Sequence, residues 1–138
     1  MTWYPDINDL KSYYLLLKKK YSDLEKEHIL GDGERKLKGI LDSLRYGLPM
    51  GDLDFWLKTV LFLRDLVCFH CYSEGNHRFA YESTISFLEE NGYLVGISEE
   101  AGEGEKLTRL VGDELAEGNP IRNFKPIAKW LKSKCEKK

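Results

Sequence analysis

The sequence predicts an all-α protein, a bundle of about six helices with one short β-hairpin at most. Three observations carry that expectation. Apolar residues recur at spacings of three and four along the first thirty residues. Glycine, proline and asparagine gather between the periodic stretches, where helices stop. One central stretch, residues 53–69, is apolar on nearly every side, as a helix buried inside a bundle is.

The first helix is expected over residues 5–30. Ile7, Leu10, Tyr14, Leu17, Tyr21, Leu24 and His28 form one stripe, with Pro5-Asp6 as the start and Gly31 as the stop. His28 falls in that stripe and reads as a structural core residue. Asp32 then caps a shorter helix from Gly33 to Tyr46, with Leu37, Ile40, Leu41 and Leu44 turned inward. Gly47, Pro49 and Gly51 make the stretch from Arg45 to Asp54 a turn or small hairpin. The apolar helix follows, from Leu53 to Phe69. Another runs from Arg78 to Glu90 and closes on Asn91-Gly92, a pair suited to a left-handed stop. Tyr93 to Ile97 is short, apolar and extended. Ser98 opens an acidic helix with Leu107, Leu110, Val111 and Leu115 inward, broken at Gly118-Asn119-Pro120. The last helix, Asn123 to Cys135, buries Phe124, Ile127, Ala128 and Leu131. Trp3, Trp56 and Trp130 read as packing residues.

Bulk properties narrow the function classes. The 138 residues suit one domain with its own core. A net charge of −2, with both signs interspersed, gives no field for holding nucleic acid, so no direct nucleic-acid partner is expected. The longest apolar run, Val60 to Leu63, ends at Arg64-Asp65, far short of a membrane span. Three cysteines without disulfide spacing, and an opening MTWYPDIND unlike a signal peptide, lead to the expectation of a cytoplasmic protein.

Residues 70–78, HCYSEGNHR, hold the chemistry. His70 stands at the end of the buried helix and Arg78 in the first turn of the next. Between them Glu74-Gly75-Asn76 must turn sharply, using residue types that readily take positive φ. A tight turn feeding a helix start points several backbone N–H groups at one spot, the natural seat of a phosphate. Arg78 adds a planar, multi-donor clamp. An acid beside phosphates repels them unless a divalent cation bridges the two, which makes Glu74 a candidate Mg²⁺ ligand. His70 is the local group suited to take a proton near neutral pH. These roles together suggest transfer of a phosphorus group from a nucleotide to a hydroxyl. Cys68, His70, Cys71 and His77 also cluster, but without the second ligand pair that zinc sites draw on.

The pattern His-x-aromatic-x-acid-Gly-Asn-x-Arg resembles the signature of the Fic/Doc family, His-Pro-Phe-x-(Asp/Glu)-Gly-Asn-(Gly/Lys)-Arg. The following helix, FAYESTISFLEENGY, looks like the family's helix after the motif, and DELAEGNPIRNFKPIAKWLK is similar to the end of the Doc branch. The likeness spans most of residues 33–138 and, weakly, the helix before them. It implies a Fic-fold domain using ATP and Mg²⁺. His70 would be the general base that activates a hydroxyl of a target protein. Tyr72 would pack inward, Glu74 would bind Mg²⁺, Gly75 and Asn76 would cradle phosphate with His77 beside them, and Arg78 would hold a phosphate. The family's flap, which aligns the target by strand addition, would be the stretch from Arg45 through Tyr46 and Gly47 to Gly51.

The departures matter too. Cys71 replaces the signature proline. Position 77 is glycine in AMP-transferring members and lysine in Doc-like phosphate-transferring members, in which the nucleotide lies inverted; His77 matches neither. Tyr81 stands where the AMP-transferring branch has a second arginine, which favours the Doc side. Glu117-Gly118-Asn119 resembles part of an inhibitory helix, but Asp113 replaces its Ser or Thr, so these residues read as a turn. The resemblance then implies a Doc-like toxin that phosphorylates a target such as a translation factor and needs a separate antitoxin, usually a helix laid in a surface groove. AMP transfer to a protein hydroxyl, and a degenerate Fic-fold interaction module, stand as the alternatives.

Overall fold

The computed structural model describes residues 1–47, 54–98, 102–113 and 120–138. Among them are six α-helices and one two-stranded antiparallel sheet.

Asp6 starts α1 (Ile7–Lys20) through a capping box. Its side chain accepts from the Asp9 N–H at 2.8 Å, and the Asp9 carboxylate accepts from the Asp6 N–H at 2.8 Å. Leu10, Tyr14 and Leu17 form its buried face. The helix ends ten residues short of the expected Leu30. Tyr21 is extended, and a single 3-10 turn, Ser22–Leu24, buries Leu24. The periodic stripe is real up to Leu24, but the chain beyond it is claimed by longer-range pairing. Leu30 N–H donates to the Cys71 carbonyl at 3.0 Å, Ser73 N–H donates to the His28 carbonyl at 2.9 Å, and Ile29 bridges Tyr72. His28 is therefore exposed and acts through its backbone, not as a core residue.

Helix α2 (Gly33–Tyr46) has the expected bounds and stops at Gly47, whose φ of 70° is left-handed. Asp32 precedes it and pairs with Lys36 without bonding the helix amides. Arg45 and Tyr46 are the last turn of this helix. The rest of the expected flap, residues 48–51, lies outside the described residues, as do Leu115 and the Glu117-Gly118-Asn119 turn.

Helix α3 (Phe55–Cys68) is the centre of the molecule, touching every other helix except α1 substantially. Val60, Phe62, Leu63 and Leu66 are almost fully buried. Each such side chain stabilises the fold by about 1.5–3 kcal/mol relative to exposure. Helix α4 (Asn76–Glu90) begins two residues earlier than the sequence suggests and ends at Asn91 and Gly92, with Gly92 at φ 89°. The Asn91 side chain also binds both backbone groups of Trp3, at 2.7 and 3.0 Å, tying the N-terminal residues down.

The short extended stretch is β1 (Tyr93–Val95). Its partner is β2 (Cys135–Lys137), in register Tyr93 to Lys137, so this small antiparallel element of an otherwise all-α fold joins distant segments. Cys135 is accordingly a strand residue. Helices α5 (Glu103–Asp113) and α6 (Pro120–Ser133) lie against α3. Leu107, Val111, Phe124, Ile127, Ala128 and Leu131 are buried, whereas Leu110 is 41% exposed and does not face inward. No helix among the described residues is long and apolar enough to cross a membrane.

Candidate functional site

The expected site lies on the connection from α3 to α4, with its backbone fixed from both sides. After Cys68 the chain turns at His70, whose φ of 44° puts a non-glycine residue in the left-handed region. Such a conformation costs energy and is kept where neighbouring contacts enforce it. The next residues supply those contacts. Cys71 is fully buried, and Gly33 packs so closely that a β-carbon there would sit 2.3 Å from the Cys71 carbonyl oxygen. Burial pushes the Cys71 thiol up to about 11. The Tyr72 ring stacks on Tyr14 with centroids 3.6 Å apart and meets Phe79 edge-on at 4.9 Å. Its inward packing agrees with the role expected of it.

The Asn76 side chain has a structural task inside the loop. Its side chain is buried and spans the loop: the Tyr72 N–H donates to Oδ1 at 3.1 Å, and Nδ2 donates to the Tyr72 carbonyl at 2.9 Å. Its backbone amide stays open to a ligand. Gly75, at φ 79°, is the residue before the helix, and a β-carbon there would meet Leu24 Cδ1 at 2.9 Å. Glycine is needed for the backbone angle and for the close approach of the 3-10 turn. The Tyr14 hydroxyl donates to the Glu74 carbonyl at 2.8 Å, and the Ser73 hydroxyl donates to Glu27.

These contacts decide where the amides go. The Tyr72 and Ser73 N–H groups are taken by Asn76 and His28. The helix ladder begins with the Phe79 N–H, which donates to the Gly75 carbonyl at 2.9 Å. Between them, the N–H groups of Glu74, Gly75, Asn76, His77 and Arg78 have no acceptor among the described residues. They stand at the positive end of the α4 dipole. His70, Ser73 and Glu74 through Arg78 border one cavity of about 330 Å³. His70 and the residues of the amide run therefore border the same space. His70, Glu74 and His77 are exposed there.

A second cavity, of about 590 Å³, shares His77 and Arg78 with the first and continues past Tyr21, Tyr81, Thr108 and Arg109. Arg78 stands between the two. Its Nη1 and Nη2 donate to the two carboxylate oxygens of Asp23 at 3.3 and 2.7 Å, and its guanidinium lies 4.5 Å from the Tyr21 ring centre. The hydrogen bonds from Arg78 hold the Asp23 carboxyl below the usual range, and the same bonds raise Arg78 further.

Mg²⁺ can be tested against this donor set. Among the described residues no three His, Cys, Asp or Glu side chains gather as a metal cage, and Glu74 is the carboxylate bordering the smaller cavity. One carboxylate is what Mg²⁺ uses when phosphate oxygens and waters complete its shell. The residues fit a phosphate-borne ion and not a dedicated protein site. Arg45, Tyr46 and Gly47 border neither cavity.

Asp23, Tyr21 and Tyr14 belong to the site without having been singled out for it. Tyr14 and Tyr21 carried only a core-stripe signal. Asp23 carried none, because its place depends on α1 ending at Lys20. Comparison with protein-family models, with curated proteins and with solved structures finds no match in any of the three.

Proposed function

We propose that this chain is a Fic/Doc-type transferase that moves the terminal phosphate of ATP to a hydroxyl of a target protein. One observation carries the reading: an amide run without acceptors opens α4 over the cavity that His70 also borders. Backbone donors at a helix start suit a polyphosphate, and Arg78 at the far wall adds charge-assisted bonds.

The two cavities support one direction for the nucleotide. The smaller one has room for the phosphates and is bordered by His70; the larger opens beyond Arg78 and has room for a nucleoside. A nucleotide laid across both would have its terminal phosphate towards His70. That order supports phosphate transfer over AMP transfer. His70 would take the proton from the target hydroxyl while its oxygen bonds to the terminal phosphorus. The bridging P–O bond would break, and ADP would leave. Glu74 would hold Mg²⁺, which offsets phosphate charge when bound. On this reading a translation factor is a candidate target, and a separate antitoxin would restrain the enzyme in the cytoplasm.

The test is incubation of the protein with ATP, Mg²⁺ and a cell extract, with label on the γ- or the α-phosphate. Label from the γ-phosphate should enter a protein, and His70→Ala should lower its rate by roughly 10²–10⁴-fold, the range of general-base catalysis. Incorporation of α-label would replace phosphate transfer by AMP transfer. No label from either position, with growth inhibition unchanged by His70→Ala, would leave the interaction module.

A further inference from the structure

Arg78 is 39% exposed and emerges from the first turn of α4, so its long side chain would sample many rotamers if nothing held it. Two neighbours hold it. Asp23 binds the outer nitrogens end-on through both carboxylate oxygens, and Tyr21 covers a face of the guanidinium plane. Both come from the segment that leaves α1, and that segment is pinned under the loop, because Leu24 is buried against Gly75. Asp23 borders neither cavity, whereas Tyr21 borders the larger one and Arg78 borders both. The carboxylate thus grips the guanidinium from outside the ligand space. A guanidinium has five N–H groups, and an end-on fork uses two, leaving the Nε–H and one N–H on each outer nitrogen for an anion.

We propose that Asp23 is a positioning residue for nucleotide binding, fixing the Arg78 guanidinium so that its remaining N–H groups meet the phosphates at the junction of the two cavities. The inference rests on the nucleotide reading given above and adds a residue outside the motif to it. Holding one rotamer in advance spares the ligand that ordering entropy. An exposed ion pair stabilises a fold little, so the role should show in binding and not in folding.

Binding of Mg-ADP by calorimetry tests this on the full chain and on Asp23→Ala, Asp23→Glu, Arg78→Ala and the Asp23→Ala/Arg78→Ala double variant. Asp23→Ala should weaken binding roughly three- to thirtyfold, within the range of about two- to 150-fold that coupled neighbours span. Asp23→Glu should recover most of the loss, and Asp23→Ala should cause no further loss once Arg78 is alanine. Equal or tighter binding by Asp23→Ala would overturn the proposal, since Asp23 would then be idle or a competitor for the clamp. So would an equal loss in the Arg78→Ala background, which marks a merely structural part. A wild-type chain that binds no Mg-ADP would remove the nucleotide reading along with it; wild-type binding unaffected by Asp23→Ala would remove the positioning role alone.

Discussion

Replacing Asn76 by alanine perturbs the loop at its most connected point. The wild-type amide satisfies the Tyr72 N–H and the Tyr72 carbonyl at once, at 3.1 and 2.9 Å, in a buried setting. Alanine removes both partners and leaves two buried polar backbone groups unpaired. Each orphaned group costs about 1–3 kcal/mol, so the loss should be about 2–4 kcal/mol, the lower part of the summed range if water enters the gap. Urea denaturation measures it. With a slope of about 2 kcal/mol/M, the middle of the range for a small protein, the midpoint should fall by roughly 1–2 M. Asn76→Asp keeps the acceptor for the Tyr72 N–H but sets a carboxylate against the Tyr72 carbonyl, so it should also destabilise. A change under about 0.5 kcal/mol for the alanine variant, the size of an ordinary surface substitution, would refute the assignment of this side chain as the loop's internal brace.

Gly75→Ala should destabilise by about 2–4 kcal/mol, combining a left-handed alanine with overpacking against Leu24, and should weaken Mg-ADP binding; thermal unfolding and calorimetry check the two. Tyr14→Phe keeps the ring stack and loses the bond to the Glu74 carbonyl, at a cost of about 0.5–1.5 kcal/mol, measurable by the same urea titration. In the folded protein at pH 8, maleimide followed by peptide mass spectrometry should label exposed Cys68 first and leave Cys71, buried with its thiol raised to about 11, unmodified until unfolding. The folded chain keeps the Cys71 proton while the unfolded chain releases it near pH 8.5–9 or so, so stability should fall as pH rises from there towards about 11.

The parts of the fold that could be read in advance are those set by local pattern. Helix α2 has the bounds that its apolar spacing gives, and α3 is the central helix because its sequence leaves few positions for water. The Asn91-Gly92 stop closes α4 as expected. What could not be read depends on partners far along the chain. Residues after Lys20 continue the apolar period of α1, yet the backbone of His28 and Leu30 pairs instead with Ser73 and Cys71, more than forty residues away. Strand β2 forms because β1 offers an edge, and nothing in Cys135-Glu136-Lys137 alone announces it. The same division holds at the site. The turn, the imidazole and the arginine were legible as types in a given order; the internal use of the Asn76 side chain and the grip of Asp23 on Arg78 were not.

The central claim is that the amides opening α4 receive a polyphosphate beside His70. Backbone nuclear magnetic resonance of the labelled protein, titrated with Mg-ATP, tests it most directly. The amide signals of Gly75, Asn76, His77 and Arg78 and the ring signals of His70 should move together, at concentrations that leave α6 and the sheet unchanged. Signals there that stay fixed at saturating nucleotide, or shifts confined to another surface, would contradict the account.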